Sequence, residues 1–209
     1  MEIYLSGFIT LALAHFVALL SPGVDFFIIL SNSSKYGKLS GIITSVGIAI
    51  ANLVYILLAL LGISLIKENE NIFLVIKLLG SLYLVYIAFM LLKTKKRELF
   101  ENEQIKSKKQ KNIIKYFSMG FLSAILNPKN SIFYFTMFSI SINSTTPLFV
   151  QSFYALWMFL AVLFWDIFIV YLVTSKKSKL FLEKYSNKVE KVCGLILLFI
   201  ASFIIIDSF

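Results

Sequence analysis

The chain has 209 residues, 59% of them hydrophobic and only 15% charged, against the roughly 25% charged usage of soluble domains. Its formal charge is +9, and it contains one histidine, His15, and one cysteine, Cys193. Those counts exclude an internal disulfide, a CxxC redox pair, a thiolate metal cluster and a two-histidine motif such as HExxH, and the apolar excess is more than a soluble protein of this size could bury.

A bilayer-spanning helix needs about 20 mainly apolar residues, and six stretches meet that need, at about 5–30, 41–66, 72–92, 116–140, 148–174 and 189–206. The expected fold class is therefore an all-α membrane protein, with residues 1–209 forming one transmembrane domain. The first stretch contains Ala12-Leu13-Ala14, which resembles a signal-peptide cleavage site. Its leading segment carries Glu2 and no Lys or Arg, so it reads as an uncleaved span. This span is interrupted at Ser21-Pro22-Gly23-Val24-Asp25. The second lies in Leu39–Ile66, 28 residues without a charge. The third contains Lys77 and Gly80, and the fourth is interrupted at Asn127-Pro128-Lys129-Asn130. The fifth follows from the uncharged block Asn130–Trp165, 36 residues long, and ends beyond Asp166. The sixth contains Cys193 and Gly194.

Spans one to three and four to six read as two copies, repeat one over about 1–92 and repeat two over about 116–209, joined by a basic loop at about 93–115. With Pro22 laid on Pro128, Ala14 and Ala18 fall on Gly120 and Ala124, and Ser21 falls on Asn127. In the third spans, Lys77-Leu78-Leu79-Gly80 pairs with Lys191-Val192-Cys193-Gly194. An odd number of spans per copy makes the two copies inverted. Ala14 with Ala18, Gly120 with Ala124, Gly37 with Gly41 and Gly47 with Ala51 are small-xxx-small faces of the kind that let membrane helices approach closely.

Serine or asparagine before proline is how a helix starts: the polar side chain caps and proline takes the first helical position. Ser21-Pro22 and Asn127-Pro128 both have that form inside apolar runs, so each is expected to leave a half-helix N-terminus in the membrane. Such an end carries about half a positive charge and free N–H groups, a seat for a carboxylate. A single such proline would read as a simple kink; two at matched places point to a transporter's binding site.

The candidate binding residues are thus Ser21, Pro22, Gly23, Asp25, Asn127, Pro128, Lys129 and Asn130. An ionisable side chain near the bilayer centre carries a penalty of about 2.5–3.5 kcal/mol on insertion scales, so Asp25 and Lys129 either pair with each other or serve a pathway. Asp25 meeting an ammonium, with Lys129 and the helix ends meeting a carboxylate, would suit a zwitterionic amino acid. Asp25, Asp166 and His15 are candidates for proton coupling. Asn52, Tyr55 and Tyr83 are candidates for polar lining, although each taken singly reads more readily as an interhelical hydrogen-bonder.

The basic residues give orientation. Of the 20, 17 fall in the loops after spans one, three and five, which places those loops in the cytoplasm and both termini outward. The charge is accordingly no sign of nucleic acid. The loop at 93–115 reads as a solvated topogenic segment, with anionic lipid a weaker partner. No GxxxxGK[ST] loop is present, so the energy source is expected to be an ion gradient. Moving one charge through 100 mV supplies about 2.3 kcal/mol, roughly a fifty-fold gradient, which is adequate for export.

At these residues the chain resembles the LysE/RhtB family of bacterial amino-acid exporters, over nearly its whole length. Members carry a Pro-Gly-Pro-Asp-like break in span one, a glycine-rich second span, a Gly-x-x-Tyr-Leu third span and an Asn-Pro-Lys break in span four. The matching residues are Pro22-Gly23-Val24-Asp25, then Gly41 and Gly47, then Gly80-Ser81-Leu82-Tyr83-Leu84, then Asn127-Pro128-Lys129. Val24 stands where the family has its second proline, so a milder first break is expected. The resemblance implies efflux of an amino acid or close analogue across the bacterial inner membrane, by exchange with protons, without cofactor or resident metal. An inorganic-cation exporter is a weaker alternative, since Asp25 and Asp166 are the only intramembrane carboxylates to converge on an ion. A non-transporting assembly factor would not require two matched breaks, and a membrane hydrolase would want a Ser/His or paired-acid constellation. The small-residue faces are compatible with a homodimer.

Overall fold

The computed structural model describes residues 2–66, 69–95, 112–143 and 145–206. Eight helices account for almost all of them: α1 (Glu2–Leu20), α2 (Val24–Tyr36), α3 (Lys38–Ile66), α4 (Glu70–Leu92), α5 (Ile113–Ile125), α6 (Pro128–Ser141), α7 (Leu148–Thr174) and α8 (Lys176–Ile206). No strand occurs among the described residues. Helices are what a lipid-embedded chain must form, because only they satisfy every backbone group within one segment.

Local chemistry sets the ends. Asn69 and Asn112 cap α4 and α5, accepting from the backbone N–H groups of Ile72 at 3.1 Å and Lys115 at 2.9 Å. Between α2 and α3 the chain turns at Gly37, whose φ of 95° lies in the region that glycine alone enters freely.

Four helices, α3, α4, α7 and α8, contain stretches of 19 to 27 residues long and apolar enough to cross a bilayer. The pair α1–α2, bent by 51° at its break, makes a fifth if taken as one span. Their outward faces are apolar as lipid requires: Leu58 and Leu61 on α3, Leu79 and Leu82 on α4, and Phe199 and Phe203 on α8 are all well exposed. The chain is thus a multi-pass, all-helical membrane protein.

One stretch is divided where the sequence places an interruption, and one boundary differs from the sequence expectation. The stretch at 116–140 is two helices of 13 and 14 residues, each too short to span alone, because the backbone breaks at Leu126–Asn127. The last helix begins at Lys176 rather than near 189, its first turns running through the basic segment. Lysine is a good helix former, and charge density at a membrane edge ends the apolar stretch without ending the helix.

The core is organised around α3, which packs against α5, α6 and α7, while α4 lies along α8. The α3–α5 seam is the closest approach. A methyl group added at Gly120 would sit 2.1 Å from the Thr44 carbonyl oxygen, and one at Gly47 2.2 Å from that of Phe117. Backbone therefore lies on backbone there, and Thr44 Oγ1 donates across the seam to the Tyr116 carbonyl at 3.3 Å. The small faces Gly120/Ala124 and Gly47/Ala51 serve this packing.

Candidate functional site

Both breaks open on one cavity of about 670 Å³. The first contributes Ser21, Pro22, Gly23, Val24 and Asp25; the second contributes Asn127, Lys129 and Asn130; α1 adds His15, α3 adds Asn52 and α7 adds Asp166. Most of the remaining wall is apolar, including Phe133, Tyr134, Trp165 and Ile169.

The second break is built as its sequence reads. Asn127 is the N-cap of α6, its side chain accepting from the Lys129 N–H at 3.1 Å, and Pro128 occupies the first helical position. Ending α5 here leaves its last carbonyls without helical N–H partners, and a tyrosine takes one of them, while a second tyrosine donates into the first turn of α6. Tyr55 Oη donates to the Ile125 carbonyl, and Tyr83 Oη donates to that of Lys129 at 3.1 Å. Tyr55 and Tyr83, read as candidate lining, are not on the cavity wall and patch the break from behind.

The first break departs from expectation. Ser21 does not cap: α1 ends at Leu20, and α2 starts at Val24 with Gly23 as its N-cap and no side chain closing the end. Pro22 therefore lies in the linker, not at the first helical position. The restart falls on Val24, the place of the second proline in the family pattern. The Ser21 N–H instead donates to the Ala18 carbonyl at 3.2 Å, closing the last turn of α1. The Ser-Pro signal was a true break signal displaced by two residues.

A polar network joins the two breaks. Asp25 Oδ1 accepts from Ser123 Oγ at 3.1 Å, and Oδ2 accepts from Asn130 Nδ2 at 3.4 Å. The same Asn130 amide donates to Asn52 Oδ1 at 3.0 Å and to the Ala124 carbonyl at 3.4 Å. Asn127 Nδ2 in turn donates to Asn130 Oδ1 at 3.2 Å. Helices α2, α3, α5 and α6 thus converge on Asn130. Lys129 is exposed on the wall, and the hydrogen bonds to Asp25 come from Ser123 and Asn130 rather than from it.

Ser123 was not among the candidate residues: it lies on α5 and Asn130 on α6, so no helical spacing relates the two and only the packing brings both to Asp25.

Deeper in the cavity two polar groups stand apart from the network. His15, 1% exposed, has neither ring nitrogen hydrogen-bonded, and packs among Phe133, Tyr134 and Trp157 with ring centroids 5.6 to 5.8 Å away. Asp166, 6% exposed, has an Oδ2 with no hydrogen-bond partner.

The cavity has a direction. Its wall includes Leu91 near the end of α4, Leu172 near the end of α7, and Ser178, Tyr185 and Ser186 in the first turns of α8. That is the end of the bundle where Lys93 and the lysines of α8 lie. At the other end α1 is sealed against α6 and α7. Phe8 packs on Phe153, Tyr154 and Trp157, and Tyr154 Oη donates to the Tyr4 carbonyl at 2.5 Å. Gly7 lies so close to Ser141 that an added methyl would be 2.6 Å from its carbonyl oxygen.

Among the described residues no group of three or more His, Cys, Asp or Glu side chains comes together as a metal site. The site offers a carboxylate, an ammonium and an open helix end around a space large enough for a small solute.

Compared with known proteins, residues 16–208 match the LysE type translocator family. The membrane protein YrhP of Bacillus subtilis strain 168 is 29% identical over 184 residues, 84% of this chain and 87% of that protein. The threonine efflux protein of Salmonella typhi is 30% identical over 136 residues, 64% of this chain and 65% of its own. That of Escherichia coli K12 is 28% identical over 134 residues, with 64% and 65% covered. No solved structure matches. A match running from the end of the first helix to the last, through both breaks, makes this chain a transporter rather than an enzyme and a member of the LysE type translocator family.

Proposed function

We propose that the protein exports a small zwitterionic solute, an amino acid or close analogue, from the cytoplasm across the bacterial inner membrane in exchange for protons. The observation that carries this reading is the single cavity shared by two helix breaks and bridged by the Asp25–Asn130–Asn52 network. Threonine efflux by relatives of similar sequence supports an amino acid as the solute.

In this reading α5 and α6 together are the fourth of six spans. The chain is two inverted repeats, α1–α2, α3 and α4 against α5–α6, α7 and α8, with helices one and four broken at Pro22 and Pro128. The basic loops face the cytoplasm and both termini face outward. The cavity mouth beside Tyr185 and Leu91 then faces the cytoplasm, and the Phe8–Trp157 cluster closes the outer side, the arrangement an exporter needs while loading.

The open first turn of α2 supplies N–H groups to the substrate carboxylate, with Lys129 adding charge from the start of α6. Asp25, at the start of that helix, receives the ammonium. Asn130 holds Asp25 in place. A hydrogen bond to a charged group is worth about 1.5–3 kcal/mol, so losing it lowers substrate affinity about tenfold to a hundredfold.

The test is efflux from proteoliposomes loaded with a mixture of labelled amino acids, with and without an imposed pH gradient, beside Asp25→Asn and Lys129→Ala. Selective, gradient-dependent loss of one amino acid, abolished by either substitution, is the expected outcome. Absence of flux for every amino acid from folded wild-type protein overturns the reading.

A further inference from the structure

The geometry points to a division of labour between the two intramembrane carboxylates: Asp25 holds substrate, whereas Asp166, which shares the cavity wall with His15, is the site that binds the exchanged proton. This rests on the export reading above and names the coupling site that reading leaves open.

The two acids differ in what already surrounds them. Both Asp25 oxygens are engaged, by the Ser123 hydroxyl and the Asn130 amide. A group so tethered is a fixed acceptor, suited to orienting an ammonium. Asp166 is more deeply buried and its Oδ2 has no partner at all. An isolated carboxylate in an apolar wall is costly and is relieved by a proton or by a cation drawn from the cavity. His15 shares the condition: both ring nitrogens are buried and unbonded, and both residues line the space that holds the substrate.

Among the described residues, the charged and titratable groups facing this pocket are few. They are His15 of α1, Asp25 of α2, Lys129 and Tyr134 of α6, Asp166 of α7 and Tyr185 of α8; α3 and α4 contribute only Ile48, Asn52, Ile87 and Leu91. The Asp25 and Asp166 carboxylates lie within range of each other's charge, with Tyr134 in range of both. An ammonium arriving at Asp25 changes the field at Asp166. Substrate and proton therefore communicate through the cavity without contact between their sites, which is what exchange requires.

Two assays separate the roles. Counterflow, the exchange of labelled for unlabelled amino acid at equal pH, needs substrate binding and alternating access but no proton movement. Accumulation driven by a pH gradient needs coupling as well. One exchanged proton supports about a tenfold substrate gradient per pH unit. Asp166→Asn is expected to keep counterflow within about twofold of wild type while its gradient collapses from about tenfold to onefold under one pH unit. Asp25→Asn is expected to lose both activities, and His15→Gln to slow accumulation more than counterflow.

A reading on unaltered protein covers the case in which Asp166→Asn does not fold. Dicyclohexylcarbodiimide, an apolar reagent for protonated carboxyls, should modify Asp166 and leave Asp25 untouched, with labelling that rises as pH falls. Counterflow lost together with accumulation in a folded Asp166→Asn variant makes Asp166 a substrate ligand and overturns the proposal. So does an undiminished gradient, a gradient set by sodium rather than by pH, or labelling of Asp25 instead. Wild-type protein with no counterflow of any amino acid overturns instead the export reading beneath it.

Discussion

The two breaks serve one cavity but are built in opposite ways. At the second, side chains meet the backbone: Asn127 caps, Pro128 fills the first helical position, and Tyr55 and Tyr83 each donate to a carbonyl. At the first, Gly23 leaves the start of α2 without a side-chain cap, and the polar residues beside it face the cavity. The same departure from helical geometry gives a fixed support in one place and an open binding surface in the other. What decides between them is whether neighbouring side chains reach the freed groups first.

The sharpest way to break this comparison lies about two helical turns upstream of each proline pair, at Gly120 and at its counterpart Ala14. Gly120→Ala pushes a methyl into the Thr44 carbonyl and is expected to cost about 3 kcal/mol, the upper end for overpacking. Ala14→Gly at the first break should cost no more than about 1 kcal/mol, chiefly through helix propensity. Thermal unfolding in detergent compares the two, and equal losses would remove the asymmetry at its root.

Caps give the next test. Asn127→Ala removes a working cap and should lower stability by about 1 kcal/mol, whereas Ser21→Ala should change it by no more than a few tenths. The pairing matters because the two residues occupy equivalent places in the sequence and different roles in the structure. A smaller effect is expected for Tyr55→Phe, about 0.6 kcal/mol, the average for a hydrogen bond between membrane helices, with transport reduced through a loosened second break.

The smallest effect is a gain. Val24 is the first residue of α2, and Gly23 before it is extended, at φ −107° and ψ −167°, a conformation that tolerates a following proline. Val24→Pro is thus expected to stabilise by about 0.5 kcal/mol, read by thermal unfolding in detergent. A loss of stability would place the start of α2 elsewhere.

These variants mark where the sequence was legible. The fifth stretch was read to its ends, 148–174, because a long apolar run with Asp166 as its one charge is bounded by Pro147 and a lysine cluster. Asn127-Pro128 was readable because one pair of residues supplies both the cap and the first helical position. Ser21-Pro22 has the same form, yet the helix restarts two residues later, and only the family pattern at position 24 hinted at that. The roles of Tyr55 and Tyr83 were not readable, since a tyrosine that lines a cavity and one that patches a carbonyl look alike until the neighbouring helix is in place. Ser123 and Tyr134 were missed for the same reason: what they face is set by packing, not by periodicity. Lys129 was read beside Asp25, but burial and hydrogen bonding, not linear proximity, chose Asn130 as its partner.

The α3–α5 seam bears on how the protein is made. Thr44 and Tyr116, whose contact helps close it, are 72 positions apart. A ribosome therefore delivers α3 to the membrane well before the helix that fits it exists, and the groove along Thr44 and Gly47 must wait in lipid with its backbone lightly covered. Order of synthesis becomes order of packing. The first half is a docking template for the second, and a nascent chain stalled before residue 113 would be the species most exposed to membrane quality control.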